Sequence, residues 1–488
     1  MNKKTTNKKT RRNTSGGFIA AYALVTAAVI TTLLTGLLVF VSVAQRRSSD
    51  EISRQQALQL AESGVYFYKW YLAHNLDGKN AQQIRGFWDS GTAYGSTTPY
   101  EVEVNDNAGI AMGKYSLSVA IPSADSTIAT VESTGWTYKH PGVRRSVRVR
   151  FRRASWSEFA ALANDAMRFG GGTNVQGPIH SNGGIRFDGV ANNQVSSSVV
   201  TYVDPDNGVI RPGVWTSQGD ESAVFLAGKK FPVPAIDFNG VTTDLALIKS
   251  EATDHGLYFG GDTYEKNVCG WQWVGPPIWW QWQCNTQEES IEGYHITLRV
   301  DDKLEKRLVY TSGSSTYNIT SESAAEVFDI PANGLIFIED NAWVDGTIDT
   351  ARVTIASANL ASDVIETDIY INNDIRYTHT DGQEVIGLIA ENNISVGLYS
   401  ENFLQIDAAL LAQKGRVGRN YYGFSNYRWR NTITVYGSIA TNHRYGFAWT
   451  DGTGYATRNL FFDNNLLYTP PPFFPTGTTY ELDLWEDL

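Results

Sequence analysis

The hydrophobic pattern begins with a run of 27 residues, Phe18–Ala44, that contains no charged side chain. As a helix it would be about 40 Å long, enough to cross a hydrocarbon layer about 30 Å thick. After Arg46 and Arg47 the pattern changes. Ala57, Leu60, Ala61, Gly64, Phe67, Tyr68, Tyr71 and Leu72 recur at steps of three and four, with Gln55, Gln59, Glu62 and Lys69 on the other side. This predicts that 45–75 continues the first helix as an amphipathic one, with Ser48 or Ser49 able to cap it and Asp50 and Glu51 favourable in its first turn. Gly64 costs about 1 kcal/mol against Ala inside a helix. With Ala57 and Ala61 it would let a sheet approach closely.

From 76 to 155 the period shortens to two. Tyr100, Val102 and Val104 alternate with Glu101 and Glu103; Tyr115, Leu117, Val119 and Ile121 alternate with serines; Val147, Val149 and Phe151 alternate with Arg148, Arg150 and Arg152. One polar and one apolar face predicts an antiparallel sheet covered on one side, with the amphipathic helix as its cover. The arginine row could face Glu101 and Glu103 on a paired strand, a lipid surface or a neighbouring subunit. Residues 156–172 read as a short linker helix followed by a glycine hinge at Gly170–Gly172.

The stretch 173–488 consists of short apolar runs separated by Gly, Asn and Asp. A loose repeat recurs: GPIHSNGGIRF from Gly177, GLIAENNISV from Gly387, ALLAQKGRV from Ala409 and GSIATNHRY from Gly437, with a weaker copy from Gly334. The last three close copies begin 22 and 28 residues apart, the length of one coil of a parallel β-helix. Ile179, Ile389, Leu411 and Ile439 would be equivalent inward positions, and Asn182, Asn392 and Asn442 equivalent turns. The fold class is therefore α+β: a long N-terminal helix, a small antiparallel sheet, then a mostly-β domain expected to be a right-handed parallel β-helix, with a β-sandwich as the alternative.

Charge adds an orientation and an exclusion. Net charge is −11, yet residues 1–17 carry six cations and no acid, which leaves −17 on the remainder. The basic flank should stay in the cytoplasm and the C-terminus should point out. An acidic body argues against nucleic acid as a partner, since phosphate binding needs a basic surface. No H-E-x-x-H, P-loop, G-x-S-x-G or dinucleotide fingerprint is present. Two cysteines cannot form a four-cysteine zinc site, so no metal or cofactor is expected.

The leader ends in Gly16-Gly17 before Phe18 opens the apolar run, and QALQLAESGVYFYKWYL follows in the amphipathic half. Ser133–Trp136 reads STGW, and Arg144–Phe151 reads RRSVRVRF. Leader and helix together, over about residues 14–75, resemble the minor pilins of type IV pilus assembly, and the later strings follow the same order. The resemblance implies cleavage by prepilin peptidase between Gly17 and Phe18, a helix half in the membrane and half packed on a sheet, and docking with other pilins or filament-assembly proteins. Family members usually carry Glu at the fifth mature position, where this chain has Tyr22. That departure favours a minor or tip subunit, or a membrane protein that keeps its leader. Ser42-Val43-Ala44 would also suit signal peptidase. The C-terminal half resembles the β-helical regions attached to some pilus-assembly pilins. The domains on this reading are a leader 1–17, a transmembrane helix 18–44, an amphipathic helix 45–75, a pilin-like sheet 76–155, a linker 156–172 and a β-solenoid-like region 173–488.

Cys269 and Cys284 bracket an insertion rich in tryptophan, 269–284. Outside the cytoplasm two close cysteines oxidise, and closing a loop of this size stabilises by about 3 kcal/mol in the chain-entropy account. Between them lie Trp271, Trp273, Trp279, Trp280 and Trp282, candidate ligand-binding residues whose rings could stack on sugars or fill an interface. Asp204–Gly208 is one residue short of a calcium loop and reads as a turn. Of the carboxylate pairs, Asp301-Asp302 and Glu339-Asp340 point to opposite faces of a strand, and Glu366 and Asp368 alone could share one. The expectation is a non-enzymatic, single-pass membrane protein with its bulk outside the cytoplasm. Its expected partners are prepilin peptidase, other pilins, membrane lipid and surface carbohydrate. The alternatives are a stand-alone tethered adhesin and an anchored carbohydrate-active β-helix protein.

Overall fold

A single helix, α1 (Ser15–Leu76), carries both halves of the predicted stalk without a break. The structure, a computed structural model, describes residues 15–122, 126–238, 241–277, 280–361, 365–423 and 425–488. Most of the basic leader therefore lies outside the described residues. Among those described, α1 is the one helix long and apolar enough to cross a membrane, with mean hydropathy 2.4 over its best window. From Phe18 to Val43 its large apolar side chains are exposed, as they must be if lipid or other helices are their solvent.

The second half of α1 lies on a sheet. Strands β1 (Tyr100–Asn105), β2 (Ala111–Ala120), β3 (Ile128–Thr137) and β4 (Arg144–Ser155) pair antiparallel in that order. Between α1 and β1, a short helix α2 (Ala81–Asp89) is closed by a capping box in which Asn80 and Gln83 exchange side-chain to backbone bonds. Val65, Tyr68 and Leu72 of α1 share one apolar cluster with Leu117, Val131, Val149 and Phe151. The close contact expected at the small residues is present. A Cβ added to Gly64 would sit 2.3 Å from Ser133 Oγ, and one on Gly135 of β3 would sit 2.2 Å from the Ala57 carbonyl and 2.5 Å from the Ala61 nitrogen.

The sheet has a fifth strand that the sequence did not reveal. The C-terminal strand Thr476–Asp487 pairs antiparallel with β4, so 173–488 is not a self-contained unit. The arginine row finds acidic partners within the chain, though not Glu101 and Glu103, because β1 is not a neighbour of β4. Arg148 meets Glu132 at 3.2 Å and Glu486 at 3.8 Å, Arg150 meets Asp483 at 3.1 Å, and Arg152 meets Glu158 at 2.7 Å. Glu101 instead pairs with Lys114 at 3.3 Å.

Residues 156–172 are not a linker helix. After one 3-10 turn, Trp156–Glu158, the chain forms strands Ala161–Ala163 and Met167–Phe169. The three- and four-residue spacing of apolar side chains had mimicked a helix. Both strands are buried in the large β body, and the first pairs in parallel on both sides, with residues 440–441 and with Ile179–Ser181.

That body is a stack of parallel strands. Ile336 lies opposite Ile355, Ile355 opposite Leu388, Leu388 opposite Leu410, and Leu410 opposite Ile439. On the far side Ala161 lies opposite Ile179 and Ile179 opposite Val195. All eight belong to one apolar interior. Ile389 and Leu411 are therefore not inward residues: each sits one position along from the interior row, and one step turns a side chain to the other face. They lie with Phe337 and Leu162 in a second cluster, covered by α3 (Val241–His255) through Leu245, Ile248 and Ala252 and by Leu466 and Phe474. Asn442, Asn164 and Asn182 form a side-chain ladder with N···O distances of 2.9 and 2.8 Å. Asn392 stands one position beyond the equivalent turn, since the Asn442 nitrogen bonds the Ala412 carbonyl while the Gly415 nitrogen bonds that of Asn392.

The chain thus enters the stack in its middle, builds towards one end, runs back along the flank through α3, and returns from the other end at Leu257–Phe259. Replacing Gly135 by Val should destabilise the helix–sheet module by about 1–3 kcal/mol, the usual cost of overpacking. Thermal or denaturant unfolding of the purified protein will read this, with Gly142→Val, where no atom lies within 4 Å of the added Cβ, as the near-neutral control.

Candidate functional site

The cysteine-bounded insertion is a two-stranded ribbon. Strands Thr263–Trp273 and Trp280–Ser290 pair antiparallel over eleven positions. Cys269 stands opposite Cys284, Trp271 opposite Trp282, and Trp273 opposite Trp280. Alternate residues of a strand share a face, so the disulfide and four indoles line one side of the ribbon. Gly270, Gln272, Gln281 and Gln283 line the other. Trp279 lies outside the described residues.

A free two-stranded hairpin is marginal in water, and three features hold this one. The Cys269–Cys284 disulfide joins the strands in mid-ribbon, with Cα atoms 3.9 Å apart. Lys266 and Glu289 form an ion pair at 2.8 Å nearer the base. At the base Tyr264 stacks on Tyr310 of the body with ring centroids 4.3 Å apart. Trp271 and Trp282 meet edge to face at 5.7 Å. The indoles do not fold back on the stack: Trp271, Trp273, Trp280 and Trp282 remain 65, 60, 59 and 55 % exposed. Four aromatic rings on one face of a braced projection form an apolar surface that water solvates poorly and a flat partner can cover.

The other sequence candidates are spent on local structure. Asp301 pairs with Arg299 at 3.0 Å. Asp302 accepts the backbone N–H groups of Asp349, Thr350 and Ala351. Glu339 takes Lys249 of α3 and the Tyr258 hydroxyl. Glu366 meets Lys414 at 3.5 Å, while Asp368 is half-buried and accepts the Asn393 nitrogen at 2.8 Å, so the two are spent on different partners. Asp204 accepts the Asp206 nitrogen and its carbonyl accepts the Gly208 nitrogen, which makes 204–208 a turn. Gly17 and Phe18 both lie within α1, near its start.

Two further clusters join residues from separate passes of the chain: Asp349 meets the turn that carries His379 and Glu384, and His295, Glu322 and Asp345 come from three different strands. Asp349, His379 and Glu384 have ligand atoms within 4.8 Å of one another and could in principle hold a metal. Glu384 already accepts the His379 backbone N–H at 2.9 and 3.0 Å, which gives it a structural task. In the second cluster His295 stands between Glu322 at 2.8 Å and Asp345 at 3.2 Å, in a cleft also lined by Trp343, Tyr370 and Tyr399. Burial disfavours the charged imidazole, but hydrogen bonds and charge from Asp345 and Glu322 outweigh it and raise the His295 pKa. The same contact holds the Asp345 carboxyl below its ordinary range despite its burial.

No protein-family model matches the chain, and no curated protein matches it. Among solved structures, the crystal structure of the competence-associated pilin ComZ from Thermus thermophilus aligns with 89% of this chain and 97% of its own, at 14% identity and a TM-score of 0.29.

Two outcomes are expected. Cys269→Ser with Cys284→Ser should leave the global unfolding transition in place while hydrogen exchange across 263–290 accelerates roughly a hundredfold, as loss of about 3 kcal/mol of local restraint requires. A histidine whose pKa rises on folding adds stability below its ordinary value of about 6.5 and loses it as pH climbs through the folded pKa. His180, whose burial lowers its pKa, acts in the opposite sense, so the His295 contribution is read as a difference: the melting temperature of the unmodified chain minus that of His295→Gln should fall from pH 6 towards pH 8.

Proposed function

We propose that this protein is a non-enzymatic minor or tip subunit of a type IV pilus or a related pilin-like filament, displaying its β body for assembly or surface attachment. The observation that carries the reading is the N-terminal module. A single helix leaves its first half bare from Phe18 onward and buries its second half against an antiparallel sheet, which is the arrangement that the leader and helix resemblance implies. On this reading prepilin peptidase cuts between Gly17 and Phe18. The apolar half of α1 then rests in lipid until it docks with the helices of other pilins.

Tyr22 fits a subunit used once rather than repeatedly. A carboxylate at that position would need a buried partner in every subunit interface, and Tyr22 asks for none. The body of over 300 residues that follows the sheet could not repeat closely along a shaft, which favours the tip. Its stacked parallel ladders read as the coils of a parallel β-helix rather than the facing sheets of a sandwich, because nearly every long-range pairing in them is parallel. The Trp ribbon is the part we assign to adhesion. Indole faces suit the C–H faces of surface sugars and the centres of protein interfaces alike.

One feature favours an anchored carbohydrate-active protein instead: the cleft in which His295, Glu322 and Asp345 meet beside Trp343 and Tyr370. There, however, the imidazole bridges the two carboxylates and occupies both.

N-terminal sequencing of the membrane-extracted protein should begin at Phe18, and purified filaments should contain the chain at a few copies each. An intact Met1 together with absence from filaments would overturn the filament reading and leave a tethered adhesin. Trp271→Ala with Trp282→Ala should leave incorporation unchanged and reduce surface attachment severalfold.

A further inference from the structure

A cleft on the body is lined by no residue of the ribbon. Arg168, Arg416, Arg444 and Arg458 line this cleft of about 600 Å³ together with Trp449 and a single acid, Asp206. Four guanidiniums against one carboxylate is a local reversal of charge in a chain of net charge −11. The volume falls in the range of small-molecule sites.

The four arginines are not equivalent. Arg458 spends its donors inward, on the carbonyls of Ala456, Gly170 and Gly171 and on the Thr173 hydroxyl. Arg444 grips Asp206 with both terminal nitrogens, at 2.9 and 3.3 Å, and Arg168 binds the same carboxylate. The Asp206 carboxylate is delivered by the 204–208 turn, whose backbone Asp204 ties together. Arg416 donates one nitrogen to the Arg419 carbonyl and to Asn420, and stacks over the Trp449 ring at 5.3 Å. Among the described residues it has no ion-pair partner. Its surroundings are dry enough that burial lowers its pKa, and a cation held there without a counter-charge is costly.

We propose that this cleft binds a carboxylate-bearing sugar, a hexuronate unit of an acidic glycan, with Arg416 and Arg444 on the carboxylate and Trp449 against the ring. The Asp206 carboxylate illustrates the chemistry, since Arg444 already holds it in the two-pronged geometry that a guanidinium favours. It also acts as the internal competitor for Arg444 and Arg168. One compact group of cations beside one indole matches a single charged sugar. A polynucleotide would need an extended basic track, which the acidic body does not offer.

The test is calorimetric titration of the detergent-solubilised full chain with oligogalacturonate, with a neutral cello-oligosaccharide and a short single-stranded DNA as comparison arms. Oligogalacturonate should bind and the other two should not. Arg416→Gln should weaken binding about tenfold, the value of one charge-assisted hydrogen bond, and Arg416→Lys should recover part of it. Trp449→Ala changes a ring already 38 % exposed and should weaken binding without lowering the melting temperature. Asp206→Asn should tighten binding several-fold, an effect that a purely structural ion pair would not produce. No binding at millimolar oligogalacturonate, equal binding of the neutral sugar, preference for DNA, or indifference to Arg416→Gln and Asp206→Asn would each overturn the proposal. The ribbon and α1 are intact in every variant, so failure here leaves the filament reading untouched.

Discussion

The arrangement on which the rest depends is the pairing of β4 with the C-terminal strand. The chain leaves the small sheet at Ser155 and returns beside it at Thr476, where these two residues stand opposite each other and the Trp156 nitrogen bonds the Pro475 carbonyl. The entire β body is thus a loop between two adjacent strands. It hangs from the stalk by two connections, side by side, and the arginine row of β4 meets Asp483 and Glu486 across the same seam. Two adjacent attachments resist rotation where one flexible linker would not. Trp88 of α2 adds a bond to the Tyr480 hydroxyl at 3.0 Å, so helix, sheet and returning strand share one core.

The double attachment also explains the order of strands in the body. Because the chain must begin and end beside the same sheet, the first and last passes of the stack are neighbours, and residues 161–163 pair with 440–441. The stack can then grow outward in two directions only if one segment runs back along its flank. Residues from Phe231 through α3 do that, with Asn182 holding the Ile236 backbone through both of its amide atoms and Lys249 reaching Glu339. The cost is an apolar outer face under α3. The ribbon rises from one free end of the stack, where the parallel strands give way to antiparallel ones.

How far the sequence could be read follows from the range of each interaction. The stalk was legible because its signal is local: 27 uncharged residues, then a three-four rhythm whose small members mark the contact with β3. The ribbon was legible because its cysteines and indoles are close in sequence and share a strand period. The register of the stack was misread by one position at Ile389 and Leu411 because α3 and the 466–474 segment bury the outer face as well as the inner one. With both faces apolar, alternation no longer says which side is in. The strands at 161–169 imitate a helix because their short apolar runs, interrupted at Asn164 and Asp165, fall by chance at three- and four-residue steps. The C-terminal strand alternates Tyr480, Leu482 and Leu484 with Glu481 and Asp483, but nothing local names its partner, which lies some 320 residues earlier.

The candidate sites divide along the same line. The ribbon is a site that sequence spacing can announce, and its bracing is what makes four exposed indoles tolerable. A surface of that kind aggregates if it can collapse on itself or find a second copy in an open edge-to-edge register. Here the disulfide fixes the pairing, and the glutamines on the opposite face keep that side in water. The arginine cleft and the His295 cluster are sites that only stacking creates. Arg168 and Arg444 are 276 residues apart in sequence yet grip one aspartate, because the chain enters its stack in the middle and lays its first pass beside its last. The topology forced by the returning strand is therefore also what assembles the charge reversal on the body.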